Sequence, residues 1–124
     1  MNLWFRLGAF FMMTGVALGA FGAHGLKGRL SPEAMQIYQT AVFYQLIHAM
    51  GLFVVAGAAL TSPTRPAPAL DRAGIVFGAG IVIFSGSLYL LAMTGLKWLG
   101  AVTPIGGLLF LFGWGTLAFQ KIKH

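Results

Sequence analysis

The sequence is organised around residues 41–60, AVFYQLIHAMGLFVVAGAAL, a run of twenty residues without Asp, Glu, Lys or Arg. An α-helix rises 1.5 Å per residue, so such a run covers about 30 Å, the thickness of the hydrocarbon core of a bilayer. The run lacks the strict alternation of a lumen-facing strand, which argues against a membrane β-barrel. It therefore predicts a transmembrane helix.

Three further stretches are mostly apolar, residues 3–23, which contain one charged residue, Arg6, and residues 73–94 and 104–119, which contain none. Of the whole chain, 58% is hydrophobic and only 8% is charged, with a mean hydropathy of +0.84. A soluble domain carries about a quarter of its residues as charged side chains, so this chain cannot cover itself against water. The sequence predicts an all-α protein, a single integral membrane domain over residues 1–124 built as a four-transmembrane-helix bundle.

Two connections between these stretches share a short pattern. Gly-Leu-Lys at 25–27 precedes Ser-Pro at 31–32, and Gly-Leu-Lys at 95–97 precedes Thr-Pro at 103–104. A hydroxyl residue before a proline suits a helix start, because the hydroxyl accepts an exposed amide and proline has no amide to leave unpaired. The pattern predicts two tandem helical hairpins. Their second helix covers residues 32–60, and their last begins at Pro104.

Lysine and arginine residues lie near the ends of the predicted spans. Five lie on the side of the N-terminus and three on the opposite side: Arg6, Arg65, Arg72, Lys121 and Lys123 against Lys27, Arg29 and Lys97. Basic residues are enriched in cytoplasmic loops, so this distribution predicts that both termini are cytoplasmic. The basic loops lack interleaved aromatic residues for base stacking, so nucleic acid is not an expected partner.

Glycines recur along one face of three predicted helices. They align at about 100° per residue as Gly8, Gly15, Gly19 and Gly22 on the first helix, Gly74 and Gly78 on the third, and Gly106 and Gly113 on the fourth. Lipid gives helices no hydrophobic drive to associate, so small residues that permit close backbone approach stabilise helix pairs instead. These glycines are predicted to pack the bundle. Contact between copies of the chain in a homo-oligomer stays open as an alternative.

Polar residues of the second and third helices form a second predicted feature: Tyr38, Tyr44, Gln45 and His48 on the second helix, with Ser85 and Tyr89 on the third. Those of the second helix fall within a sector of about 120°, and His48 lies about 10 Å inside the apolar layer. They predict a polar intramembrane cluster. It either joins the two helices through hydrogen bonds or binds a solute.

The chain has few residues that could bind a metal or catalyse a reaction. It has no cysteine, and His24 and His48 are two candidate ligands where a zinc site needs three or four. The two acids, Glu33 and Asp71, are placed at helix starts, where a carboxylate favourably meets the helix dipole. No acid is left in the membrane core to complete a catalytic triad or couple proton transport. We therefore expect neither metal nor cofactor and predict that the chain is not an enzyme, while ligand binding by the two histidines stays open.

Several separate runs together resemble one family. They are GAFGAHGL at 19–26, YQTAVFYQ at 38–45 followed by HA at 48–49, FSGSLY at 84–89 and TPIGG at 103–107. In this order they resemble the domain of unknown function 423 family of small bacterial inner-membrane proteins, which is related to animal transmembrane protein 256. The resemblance covers nearly the whole chain. It implies a multi-pass protein of the bacterial inner membrane and brings no catalytic or ligand residues with it.

Two functions are compatible with these features. The first is a non-enzymatic accessory, assembly or stabilising component that works within the lipid bilayer, as a homo-oligomer or in a larger membrane complex. The second is a small transporter or channel for a solute or ion, which would use the polar face around His48.

The topology is testable with a fluorescent reporter that matures only in the cytoplasm. Fused after His124, it is expected to fluoresce, because the excess of basic residues lies on the side of the termini. The control carries the same reporter after Leu96, in the predicted opposite connection, and is expected to stay dark. A bright Leu96 fusion with a dark, fully expressed His124 fusion would reverse the assignment.

Overall fold

The computed structural model describes residues 3–62 and 67–120, and within these ranges it is helical without strands. Its elements are α1 (Leu3–His24), α2 (Pro32–Thr61), α3 (Pro68–Gly80), a π-helical segment (Ile81–Ser85), α4 (Gly86–Thr94) and α5 (Leu99–Ala118). α3, the π segment and α4 run on without a break, so the described residues form four helices long and apolar enough to cross a membrane. The predicted all-α fold of four such helices is confirmed. Arg65, Lys121, Lys123 and His124 lie outside the described residues.

The start of α2 follows from the Ser-Pro pair. The Ser31 hydroxyl accepts the amide of Ala34 at 3.1 Å, Pro32 occupies the first helical position, and Glu33 lies in the first turn. With 30 residues the helix is about 45 Å long, more than the hydrocarbon core requires. Its first turns therefore extend beyond the apolar layer.

The start of α5 differs from the sequence prediction, because the helix begins at Leu99 and holds Pro104 inside it. The amides of residues 99–101 bond three residues back, to the carbonyls of residues 96–98, and so build a turn ahead of the proline. Thr103 does not cap the helix. Its hydroxyl donates to the carbonyl of Leu99 at 3.2 Å. Pro104 has no amide to donate to the carbonyl of Gly100, an exposed residue in the first turn of the helix.

The two Gly-Leu-Lys connections adopt different backbones despite their shared letters. Gly95 is left-handed, with φ of +72°, and its amide closes α4 on the carbonyl of Leu91 at 2.8 Å. In the first connection the left-handed residue is Gly28, with φ of +83°, three residues after Gly25. Both positions favour glycine because a side chain strains that conformation.

Glycines of α1 form its contact with α2. Gly8, Gly15 and Gly22 are buried and lie seven residues apart. A Cβ atom at Gly15 would lie 2.7 Å from the Leu46 side chain, and one at Gly22 would overlap the ring of Tyr38. Gly19 is less tight, since a Cβ there would lie 3.3 Å from a methyl carbon of Val42. α1 and α2 therefore form a close antiparallel hairpin.

Glycines of α5 make the corresponding contacts with the third span. A Cβ at Gly106 would lie 2.5 Å from the backbone nitrogen of Phe84, and one at Gly113 would lie 2.5 Å from the Phe77 ring. The contact at Gly106 involves backbone, which cannot move aside as a side chain can. The second hairpin is therefore fixed most tightly at the π segment.

Of the other glycines, some lie in close contact with a neighbouring helix and others do not. Gly74 lies beneath the Trp4 indole, where a Cβ would lie 2.5 Å from the ring, and this contact joins α3 to α1. Gly80, which the stripe pattern left out, lies against the ring of Phe110. Gly78 is different, because a Cβ there would meet no atom within 4 Å. Gly78 lies one helical turn beyond Gly74 on nearly the same face, but it makes no close helix approach.

The hydrophobic core lies between α2 and the third span. Leu52, Val55, Leu70 and Phe77 are almost completely buried there. In the most apolar 18-residue window of each span, 44% of residues are buried for α2 and 39% for the third span, against 11% for α1 and 17% for α5. α2 and the third span are thus the central pair, and α1 and α5 lie outside them.

Substitution of one glycine separates close packing from helix propensity. Gly106→Ala is expected to lower the free energy of unfolding in detergent by about 1–3 kcal/mol, because the new methyl group meets the Phe84 backbone. Gly78→Ala is the matched control and is expected to be neutral or slightly stabilising, since alanine is the better helix former. Thermal unfolding of both variants measures the difference. Equal stability of the two would show that backbone contact at Gly106 does not hold the hairpin.

Candidate functional site

Gln45 is the buried polar residue that joins the most helices. It is 3% exposed. Its amide nitrogen donates to the carbonyl of Phe11 and to the hydroxyl of Thr14, both at 2.8 Å, and its amide oxygen accepts the hydroxyl of Tyr89 at 2.7 Å. Both amide protons and one acceptor site are therefore engaged. This one side chain on α2 ties together α1 and α4.

Tyr38 and Tyr89 lie next to Gln45, toward the start of α2. The Tyr38 hydroxyl donates to the carbonyl of Leu18 at 2.5 Å, and the two tyrosine rings meet edge to face with centroids 5.2 Å apart. Tyr38 is 2% exposed. The pair continues the link from α1 through α2 to α4.

Ser85 ends the π segment and bonds to the backbone of α2. Its hydroxyl donates to the carbonyl of Ala41 at 2.8 Å, and both residues are buried. Beside it, Ser87 pairs with Thr103 of α5, with 2.6 Å between the two hydroxyl oxygens. A π-helical turn inserts an extra residue into a helix and changes the direction of the side chains that follow it. Here the two serines reach opposite neighbours.

His48 is held at both ring nitrogens. Nδ1 lies 2.8 Å from the carbonyl oxygen of Tyr44, and Nε2 lies 2.9 Å from Nε1 of Trp114 on α5. An indole nitrogen can only donate, so Nε2 of His48 accepts and Nδ1 carries the proton that is donated to Tyr44. The two partners together specify the neutral imidazole and one tautomer of it.

Aromatic rings surround this histidine. The imidazole stacks face to face on Phe110, with centroids 3.5 Å apart and planes 9° apart. Phe77 and Trp114 pack against it at 5.7 Å and 5.8 Å. The Tyr44 ring lies near-parallel at 6.0 Å. The site is therefore packed with aromatic rings rather than lined by free polar groups.

The predicted polar residues fall into two groups rather than one. Gln45 and Tyr89, with Tyr38, connect α2 to α1 and α4, while His48 connects α2 to α5. Ser85 bonds to the α2 backbone, and Tyr44 contributes its carbonyl and its ring. The hydrogen-bond partner of His48 outside α2 is therefore Trp114, and not Ser85 or Tyr89 of the third span.

His24 lies apart from these groups, exposed in the last turn of α1. Among residues 3–62 and 67–120, no three His, Cys, Asp or Glu side chains come together as a metal site would require. Both nitrogens of His48 are already engaged by protein partners. Neither His24 nor His48 therefore belongs to a group of side chains that could bind a metal together.

Comparison with known proteins shows which family this chain belongs to. Residues 18–107 match the family described as "Protein of unknown function (DUF423)". The chain belongs to this family. It is 45% identical over 123 residues to the UPF0382 membrane protein SH2409 of Staphylococcus haemolyticus, covering 99% of this chain and 98% of that one. It is 42% identical over 124 residues to the UPF0382 membrane protein YwdK of Bacillus subtilis, covering 100% of this chain and 99% of that one. No solved structure matches the chain.

Membership in the DUF423 family agrees with the resemblance seen in the sequence runs, and the relatives are named as membrane proteins. The four apolar helices of the described residues are the structural counterpart of that name. The family's relation to animal transmembrane protein 256 stays a prediction. Neither the family description nor the relatives' names mention a substrate or a reaction.

Sequence reasoning missed three residues of the site: Trp114, Phe110 and Thr14. Trp114 carried a usable signal, because a tryptophan in an apolar span has an indole N–H that needs an acceptor. Phe110 lies one helical turn before it, on the same face of α5. Thr14 precedes Gly15, so its hydroxyl lies beside the close α1–α2 contact.

A double-mutant cycle tests the pairing of His48 with Trp114. His48→Leu is expected to lower the free energy of unfolding by about 1–2 kcal/mol, because it leaves the indole N–H without its acceptor. Trp114→Phe removes the donor, and the two substitutions together are expected to show a coupling energy of about 0.6–1.7 kcal/mol, the range for hydrogen bonds in membrane bundles. Thermal unfolding in detergent gives each term.

Trp98 provides the matched control for this cycle. It is 62% exposed and lies at the start of α5, away from the stack. Trp98→Phe should change stability by less than about 0.5 kcal/mol, as exposed substitutions usually do. Additive effects of His48→Leu and Trp114→Phe would mean that the bond does not stabilise the bundle.

Proposed function

We propose that this chain is a non-enzymatic accessory, assembly or stabilising component of the bacterial inner membrane, with both termini in the cytoplasm. It acts through the outer surfaces of its helices, either on a second copy of itself or on a neighbouring membrane protein. The proposal rests on how the buried polar groups are used.

Those groups are engaged within the bundle. Among the described residues, no buried side-chain nitrogen or oxygen lacks a hydrogen-bond partner. Gln45, His48 and Ser85 each bond to a different helix from their own. A transport or catalytic site needs polar groups that exchange partners with a solute. The observed pattern instead supports a structural role for the polar residues.

The acids and the buried histidine of the described residues support the same role. Glu33 and Asp71, the acids of the chain, lie in the first turns of α2 and α3, at opposite ends of the bundle from each other. Neither is a partner of His48, whose nitrogens bond to Tyr44 and Trp114. A histidine acting as a general base requires an orienting group and a nucleophile in reach. The Tyr44 carbonyl orients the ring, but Nε2 accepts the indole N–H of Trp114, so these contacts supply no nucleophile.

The outer helices offer the surface for association. α1 exposes Phe10 and Met13, and α5 exposes Leu111 and Phe112, all at 50% or more of their area. A bilayer accepts such a surface without penalty, and helices of another protein accept it equally well. The peripheral positions of α1 and α5 therefore make them the association faces in this proposal.

Site-specific photo-crosslinking in living cells tests the role. A crosslinking amino acid at Met13 or at Leu111 is expected to yield a discrete adduct with one membrane protein or with a second copy of the chain. The same amino acid at Leu52, which is 0% exposed, is the control and is expected to give no adduct between chains. Native mass spectrometry of the gently extracted protein then identifies the adduct partner.

The transporter hypothesis predicts a different result. Lipid adducts alone at both outer positions, together with solute flux into proteoliposomes that His48→Leu abolishes, would replace the accessory role with transport. A protein adduct with no such flux would support the proposal.

A further inference from the structure

A large cleft lies at the end of the bundle where α1 and α3 begin. Its volume is about 1340 Å³, and its walls are the start of α1, the second half of α2 and the start of α3. Pockets for small molecules usually measure about 300–1,000 Å³, so this cleft accommodates a larger molecule. It is separate from the buried cluster around His48, whose residues do not line it.

The α2 wall of the cleft gives its length and direction. From Met50 to Leu60 this wall runs about 15 Å at 1.5 Å per residue, which is half of a hydrocarbon core of about 30 Å. Phe53 and Ala56 lie between these two residues and line the same wall. The cleft therefore extends from the middle of the bilayer to one of its surfaces, the depth of a single leaflet.

The surface end of the cleft is polar. Asp71, in the first turn of α3, accepts the indole N–H of Trp4 through Oδ1 at 3.0 Å, and both residues line the cleft. A carboxylate has about four acceptor sites, so this bond leaves capacity for a second donor. Arg6 and Arg72 flank the pair along the chain, and both are exposed. The Asp71 carboxylate thus lies at the end where a lipid headgroup would be, and neither arginine lines the cleft itself.

We propose that the cleft binds one phospholipid of the surrounding leaflet that carries a primary-amine headgroup. Its acyl chains lie along the apolar α2 wall, and its ammonium group donates to Asp71. A trimethylated headgroup has no N–H to donate, and a glycerol headgroup has no positive charge. The carboxylate therefore selects the amine headgroup among phospholipids.

Native mass spectrometry of the full chain in mild detergent tests the selection. Phosphatidylethanolamine, phosphatidylcholine and phosphatidylglycerol with identical acyl chains are added in turn, and the bound fractions are compared. The wild type is expected to prefer the ethanolamine lipid by about two- to fivefold, the factor that an exposed ion pair provides. Asp71→Asn is expected to remove this preference. Asparagine keeps an acceptor for Trp4, so the variant retains that contact between α1 and α3.

A second variant tests the location. Gly57 lines the cleft, and a Cβ there meets no atom within 4 Å, so Gly57→Phe introduces a ring into the cleft from a position that is open at Cβ. It is expected to reduce binding of all three lipids. Gly115 is equally open but lies on α5 outside the cleft, so Gly115→Phe is the control and should bind like the wild type.

Three outcomes would overturn the proposal. The first is equal binding of the three lipids by the wild type. The second is an ethanolamine preference that survives Asp71→Asn. The third is a dimer mass that Gly57→Phe abolishes, which would show that a second copy of the chain occupies the cleft. The crosslinking result for the outer faces is independent of all three, so failure here leaves the accessory role standing.

Discussion

Close backbone approach between α1 and α2 is the constraint on which the other contacts depend. Lipid supplies no hydrophobic drive to hold two helices together, so their separation is set by the smallest residues between them. A Cβ at Gly15 would lie 3.3 Å from the Gln45 amide nitrogen, the atom that reaches Phe11 and Thr14. Without the glycine, α1 would stand away from this amide. The hydrogen bonds that connect α1 through Gln45 to the third span thus depend on the absence of a side chain at Gly15.

The third span is not a regular α-helix, and its irregular segment contacts both α2 and α5. The π segment from Ile81 to Ser85 places the Ser85 hydroxyl on the Ala41 carbonyl, while the backbone of Phe84 lies over Gly106 of α5. Consecutive residues therefore contact opposite neighbours within one turn. π turns frequently mark positions under such local demands.

The sequence was sufficient for features that depend on composition and local spacing. Length and hydropathy located the four spans, and Ser31 with Pro32 located the start of α2, because both are properties of a single helix. The start of α5 was not predictable in this way, since a turn can form ahead of Pro104 when the carbonyl that loses its bond is exposed. The π segment was not predictable either, because no sequence pattern marks residues 81–85. Its position is determined by packing between helices that are distant in sequence.

The same limit explains the partner of His48. Gln45 and His48 are about 60° apart around α2, so one polar sector contains both, yet that angle is enough to direct one toward α1 and the other toward α5. Helical periodicity shows that a residue is on the polar side, whereas the arrangement of neighbouring helices decides which helix it meets. Histidine suits the α5 side for a reason that glutamine does not share. Its flat neutral ring supplies one donor, one acceptor and a face that stacks on Phe110, so a single residue satisfies an indole, a carbonyl and an apolar ring.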